Sequence, residues 1–232
     1  TKYKGRLGEK FAEAIADYIE MSMRGDKIGI YLFLRQSLDT AESVVKAKIV
    51  DVDRQFSQAS GEYMTFFELE LVALDDAVLE SSYAAHEIVR RHRPWVEHTR
   101  VFKPHVLSEP VESALTKRGP FGPGAWAEFF DECEADLRFP WEGGEKTLPE
   151  MLDMYAHSPD RDIRANTLRA IDGGLHGFFA KYSAQTLYMV VGRAAVERKE
   201  RGYAHPMDGR NKSNRIPDDV VNALHTAVID VA

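Results

Sequence analysis

The most suggestive chemical grouping in the sequence is His86-Glu87-Ile88-Val89-Arg90-Arg91-His92, which opens as the helical zinc motif HExxH does. Its spacing excludes that role. Ligands four residues apart on a helix differ by ~40° around the axis, whereas His86 and His92 differ by ~120° and cannot converge on one ion. His92, His98 and His105 lie among Arg90, Arg91, Arg93, Arg100 and Lys103, whose charges oppose a bound cation, so this stretch reads as a solvated basic surface. His157, His176, His205 and His225 have no ligand-like spacing to a second donor. No catalytic residue and no metal ligand is therefore assigned within the chain. A histidine-based metal protein would need donors gathered from distant helices.

Cys133 lies between Glu132 and Glu134, whose charge raises a thiol pKa and disfavours a nucleophilic thiolate. The segment Gly119-Pro120-Phe121-Gly122-Pro123-Gly124 lacks the Gly-Lys-Ser/Thr ending of a phosphate cradle and reads as a turn or hinge. Arg201, Tyr203 and Arg210, in a polar turn, are the candidate substrate-binding cluster, since a tyrosine and two arginines can hold a peptide carboxylate. The competing reading is that they tie the turn to a neighbouring helix.

Helical periodicity dominates the elements that carry these residues. Leu7, Phe11, Ile15 and Tyr18/Ile19 form one apolar face, followed by an expected turn at Gly25-Asp26. Leu34, Leu38, Val45, Ile49, Val52 and Phe56 continue at helical steps, with a break expected near Ser60-Gly61. The β-branched run Val44 to Val52 is kept helical because no turn residues flank it. Phe66 to Ile88 gives a further apolar series, expected to stop at Arg93-Pro94. Ser108-Glu109-Pro110, Thr147-Leu148-Pro149-Glu150 and Ser158-Pro159-Asp160 each read as a helix start, the last opening a helix expected from Arg161 to about Arg201. Gly173-Gly174 and Gly177 fall inside it, at about 1 kcal/mol each, and imply close packing or a break; the functional alternative is a flex point.

The expected fold is all-α: an antiparallel lobe of long helices over residues 1–145, followed by the start of a second helical domain over 146–232. The final stretch, Asp218 to Ala232, carries Val220, Leu224 and Val228 with no stop signal and reads as an interrupted helix. Apolar surface there and at Phe178, Phe179, Leu187, Val190 and Val191 implies self-association as a dimer.

With 44% hydrophobic residues in 232, the chain can bury a sizeable core. The formal net charge of −7, with basic and acidic residues interspersed, gives no field that favours nucleic acid. No apolar run approaches the ~20 residues of a membrane span, and a single cysteine fits a reducing cytoplasm.

Five segments, in order, resemble the N-terminal part of the oligoendopeptidase F family: Phe66-Phe67-Glu68-Leu69-Glu70-Leu71; Leu107-Ser108-Glu109 with Glu112; Ala125-Trp126; Ser158-Pro159-Asp160-Arg161-Asp162-Ile163-Arg164; and Arg201-Gly202-Tyr203. The resemblance runs from about residue 31 to the C-terminus. It implies an all-helical zinc metallo-oligopeptidase of the thimet oligopeptidase group, in which two lobes enclose a channel for short peptides. Zinc in that family is held by HExxH and a downstream glutamate, which no position here matches, so the resemblance implies a chain inactive by itself that supplies channel wall and size selection. Tyr188 stands where the family has asparagine. The alternative is a non-catalytic helical module that binds peptides or another protein in a groove between amphipathic helices.

Overall fold

In the computed structural model, which describes residues 2–39 and 42–231, helices account for nearly all regular structure. The chain divides into two compact units, Thr1–Pro120 with Glu197–Ala232, and Phe121–Val196.

The first unit begins with the helices α1 (Phe11–Leu38) and α2 (Ser43–Tyr63). The expected turn at Gly25-Asp26 does not form. The helix runs through it because Gly25 faces the Phe56 ring of α2, where a Cβ atom would lie 3.0 Å from a ring carbon. Glycine there marks a helix contact rather than a stop. The break expected near Ser60-Gly61 falls at Met64, before the helix that begins at Thr65, while Gly61 itself is buried within the last turn of α2, where a Cβ would approach the Ser113 carbonyl oxygen to 2.8 Å. The Val44 to Val52 run is helical, as its flanks require.

The expected long helix after Phe66 is instead four short ones, α3 (Thr65–Ala73), α4 (Asp76–Ala85), α5 (Glu87–Arg91) and α6 (Arg93–Arg100). Two extended residues, Leu74 and His86, make the first breaks. Arg100 of α6 donates to the Leu71 and Leu74 carbonyls and pairs with Asp76, which satisfies acceptors that a terminating helix leaves free. Pro94 opens α6 instead of closing its predecessor, since a proline lacks only an N–H that the first turn would not use.

Leu7, Phe11, Ile15, Phe67, Leu71, Val89 and Val96 form the centre of this unit, each at most 2% exposed. Tyr18 stacks on Phe67 with ring centroids 4.4 Å apart and meets Trp95 at 5.4 Å. The apolar face read from Leu7 to Ile19 is thus a core face. The unit is completed by α7 (Glu109–Arg118) and, after residue 197, by α12 (Asp208–Ser213) and α13 (Asp218–Val231). Ala232, the last residue of the expected terminal helix, lies outside the described residues.

The second unit holds α8 (Pro123–Ala135), the hairpin strands β1 (Phe139–Trp141) and β2 (Gly144–Lys146), α9 (Leu148–His157), α10 (Arg161–Leu175) and most of α11 (Phe178–Glu200). Glu142 and Gly143 join the strands with φ of 48° and 81°, the two left-handed residues of a tight hairpin turn. The domain boundary expected near residue 145 therefore falls on a hairpin whose Phe139 is fully buried with Met151 and Ile171.

Glu150 accepts from the Thr147 backbone N–H at 2.7 Å and hydroxyl at 2.8 Å, and Asp160 caps α10 through the Asp162 N–H at 2.7 Å. The glycines of this region serve packing and a break. Gly174 lies under Phe139, and Gly177, at φ 78°, separates α10 from α11.

Candidate functional site

A groove of about 1030 Å3 opens within the first unit. Helices α1, α2, α3 and α7, the end of α11 and the stretches after α6 and α11 build it. From α1 it takes Tyr18 to Ile30, from α2 Val52 to Tyr63, and from α3 Thr65 to Leu69, with Phe102, His105 and Val106 closing one side. Gly25 thins the α1 wall where the Phe56 ring of α2 comes close, while Gly29 leaves open space along it. Its size is at the upper end of the roughly 300–1,000 Å3 typical of ligand pockets, enough for a few residues of extended chain.

Arg201 anchors one end. Its guanidinium meets Glu112 as a fork, Nη1 to Oε1 at 2.6 Å and Nη2 to Oε2 at 3.0 Å, with both side chains 16% exposed. Nε donates to Glu197 at 2.9 Å and Nη1 also to the His105 carbonyl at 3.1 Å. In return the His105 ring donates through Nδ1 to the Arg201 carbonyl at 2.8 Å, and Tyr203 packs on that ring with centroids 4.3 Å apart. The fixed five-donor fork of an arginine is thereby almost fully engaged.

This geometry separates the sequence-derived cluster. Arg201 and Tyr203 line the groove together, whereas Arg210 is exposed on α12 and is not part of the lining. The arrangement of Arg201 is that of a clamp between the turn and α7. Burial alone would raise the Glu112 pKa, but the Arg201 hydrogen bonds, the Leu107 N–H at 2.8 Å and the arginine charge outweigh it and hold the carboxyl below its ordinary range.

Glu68 behaves oppositely. Its side chain is reached by water inside the groove yet walled by neighbouring atoms, and this desolvation, with the Glu112 charge, raises its pKa. Tyr18 is raised as well, first by burial and then by Glu68 and Asp26. Sequence reasoning passed over Glu68, Asp26 and Asp53, all of which line the groove. A signal existed for Glu68 alone among these: an acid between Phe67 and Leu69 in a run that, Glu70 aside, is apolar.

The histidine grouping dissolves in the fold. His86 sits at the α4–α5 break, while His92 donates to the Ile88 carbonyl at 2.7 Å. Among the described residues, no three His, Cys, Asp or Glu side chains are grouped as a metal ion would need. The Cys133 thiol pKa is raised as expected, but first by desolvation and then by Asp136 and Glu132, so Glu132 is the only one of the two flanking acids that contributes. Among the described residues no helix is long and apolar enough to cross a membrane.

The family model described as Oligopeptidase F matches residues 70–139. The chain is 22% identical to oligopeptidase PepF of Bacillus subtilis, over 97% of this chain and 34% of that protein. It is 25% identical to group B oligopeptidase PepB of Streptococcus agalactiae, over 89% of this chain and 35% of that one. The chain thus spans about a third of the length of these curated relatives. The crystal structure of oligoendopeptidase-F from Enterococcus faecium shares its fold, with a TM-score of 0.83 at 23% identity over 96% of this chain and 45% of that one. Residues 70–139 are thus similar to the Oligopeptidase F family model, nearly the whole chain is similar to a stretch of two proteins named oligopeptidases, and its fold is that of oligoendopeptidase-F.

Proposed function

We propose that this chain is the helical, substrate-holding part of a zinc metallo-oligopeptidase that hydrolyses short peptides, and that the groove of the first unit contributes channel wall and size selection. The observation that carries the reading is the groove itself, a ligand-sized recess on a fold whose relatives are named oligopeptidases. A rigid helical wall selects by sterics and desolvation without supplying a catalytic group.

The described residues do not fit a zinc site, since no donor set of three comes together. In this reading HExxH and its downstream glutamate belong to sequence beyond these residues. Arg201 and Tyr203 shape the end of the groove, while Arg210 contributes from its exposed position only to peptides that extend past it. A reducing, cytoplasmic setting belongs to the same proposal, supported by the lone Cys133.

The reading also includes self-association. Val220, Leu224 and Val228 recur four apart on α13 and are 54%, 64% and 59% exposed, an apolar stripe that twofold pairing would cover.

The test is a binding titration of the 232-residue chain with capped peptides of four to twelve residues, alongside a fluorogenic cleavage assay. Saturable binding with no chelator-sensitive hydrolysis is the expected result. Hydrolysis that tracks the chain through purification, or no binding by any peptide, would overturn the proposal.

A further inference from the structure

The charge of the groove is one-sided. Asp26 on α1, Asp53 on α2 and Glu68 on α3 project from different walls, and no ion pair joins any of them to a cation among the described residues. The sole arginine or lysine in the lining is Arg201, which Glu112 and Glu197 already hold. Between the acids the surface is apolar, formed by Met21, Ile30, Val52, Phe56, Leu69 and Phe102.

All three carboxylates are open to solvent, and Glu68 alone is also hemmed in by neighbouring atoms, with no cation beside it to compensate. Glu68 registers this directly: the influences on its titration are burial and the Glu112 carboxylate, both against ionisation. A cation entering the groove would reverse both, and in the lowered dielectric its attraction to the acids exceeds what the same charges exert in open water. An anion gains nothing comparable, because the donors of Arg201 are engaged.

Resting on the peptide-holding reading above, we infer that this groove selects peptides that carry a cationic group, a protonated amine or a guanidinium, beside apolar side chains, with Glu68 as the specificity-determining carboxylate. The apolar flanks of such a peptide lie against Phe56, Leu69 and Phe102, and its charge faces the Asp26–Asp53–Glu68 set. Two sources supply that charge, a basic side chain or the peptide's own α-ammonium.

The experiment measures fluorescence anisotropy of the full 232-residue chain with eight-residue peptides of leucine and phenylalanine bearing a C-terminal fluorophore. One has a central lysine and an acetylated N-terminus. A second replaces the lysine with norleucine, a third with glutamate, and a fourth is the norleucine peptide with a free N-terminus. The lysine peptide is expected to bind about fivefold more tightly than its norleucine counterpart, the value of one partly enclosed ion pair. Glu68→Gln is expected to abolish the difference between the lysine and norleucine peptides, and Asp26→Asn with Asp53→Asn to narrow it. The glutamate peptide binds most weakly. A gain for the fourth peptide assigns the site to the α-ammonium as well, and a gain for the lysine peptide alone assigns it to basic side chains; either supports the inference. Equal affinity of all four peptides overturns it and leaves the groove as a charge-indifferent peptide site. Failure of every peptide to bind overturns the peptide-holding reading itself.

Discussion

Replacing Arg201 by methionine keeps most of its aliphatic stem and removes the fork. Glu112 then retains the Leu107 N–H at 2.8 Å but loses both guanidinium contacts, and Glu197 and the His105 carbonyl each lose one. Removing one partner of a fully buried ion pair costs about 3–5 kcal/mol. Because 16% of each side chain still sees water, the expected loss is smaller, about 2–4 kcal/mol. For a chain of this length that lowers Tm by on the order of 10 °C. The double variant Arg201→Met, Glu112→Leu should recover most of the loss, since an apolar pair of similar volume leaves no orphaned charge. Urea unfolding of the four proteins in the double-mutant cycle measures the coupling. The pH profile adds a signature. The folded-state pKa of Glu112 is depressed, so its stabilisation is present above its ordinary unfolded value, about 4.3, and disappears as pH falls through the folded value. That acid-limb dependence should flatten in Arg201→Met. A variant as stable as wild type would falsify the clamp and return Arg201 to the list of groups free to bind a peptide carboxylate.

Adjacent glycines on α10 give a sharper packing test. Gly173→Ala, with nothing within 4 Å of the new Cβ, should stabilise by about 0.5–1 kcal/mol through helix propensity. Gly174→Ala would place Cβ 2.5 Å from the fully buried Phe139 ring and should destabilise by about 1–2 kcal/mol net, and equal Tm shifts for the two would refute the packing account. Glu68→Gln should raise Tm at pH 7, because a carboxyl with a raised folded-state pKa stabilises below its unfolded value and loses that contribution as pH rises through the folded value. The gain should vanish near pH 4, and thermal melts across pH 4–8 check it. Leu224→Asp with Val228→Asp should shift light-scattering mass toward the monomer; a wild type that is already monomeric at tens of micromolar refutes the association proposal.

The helical class was legible because period-3.6 apolar faces such as Leu7 to Ile19 survive tertiary packing unchanged. Glycine was the weak sign. Gly25 and Gly61 look like stops, yet each is a point of close approach, which depends on a partner helix that local sequence does not display. The break at Leu74 was hidden for the same reason, since the arginine that caps it lies 26 residues on. Glu142-Gly143 did carry a hairpin signature, but strands of three residues have too little alternation to stand out. Arg201 and Tyr203, singled out by their types, line the groove, while Asp26, Asp53 and Glu68, which also line it, were not singled out. Acids spread over three helices share no spacing, and only the fold turns them toward one space.

The clamp between Arg201 and Glu112 also imposes an order of events during synthesis. Its two ends are separated by 89 residues, and the second compact unit lies wholly within that interval. At about 5–20 residues per second, the ribosome needs on the order of ten seconds to make that stretch after Glu112 has formed. Throughout that time the wall bearing Glu112 lacks its partner, with a carboxylate and the His105 carbonyl open to solvent. The intervening segment, contiguous and with its own Phe139–Met151–Ile171 core, can condense first. The late arrival of Arg201 then closes a chain loop whose entropic cost, about (3/2)RT ln n and so near 4 kcal/mol for that length, is comparable to what the clamp contributes. The first unit is thus completed last, by its own returning end.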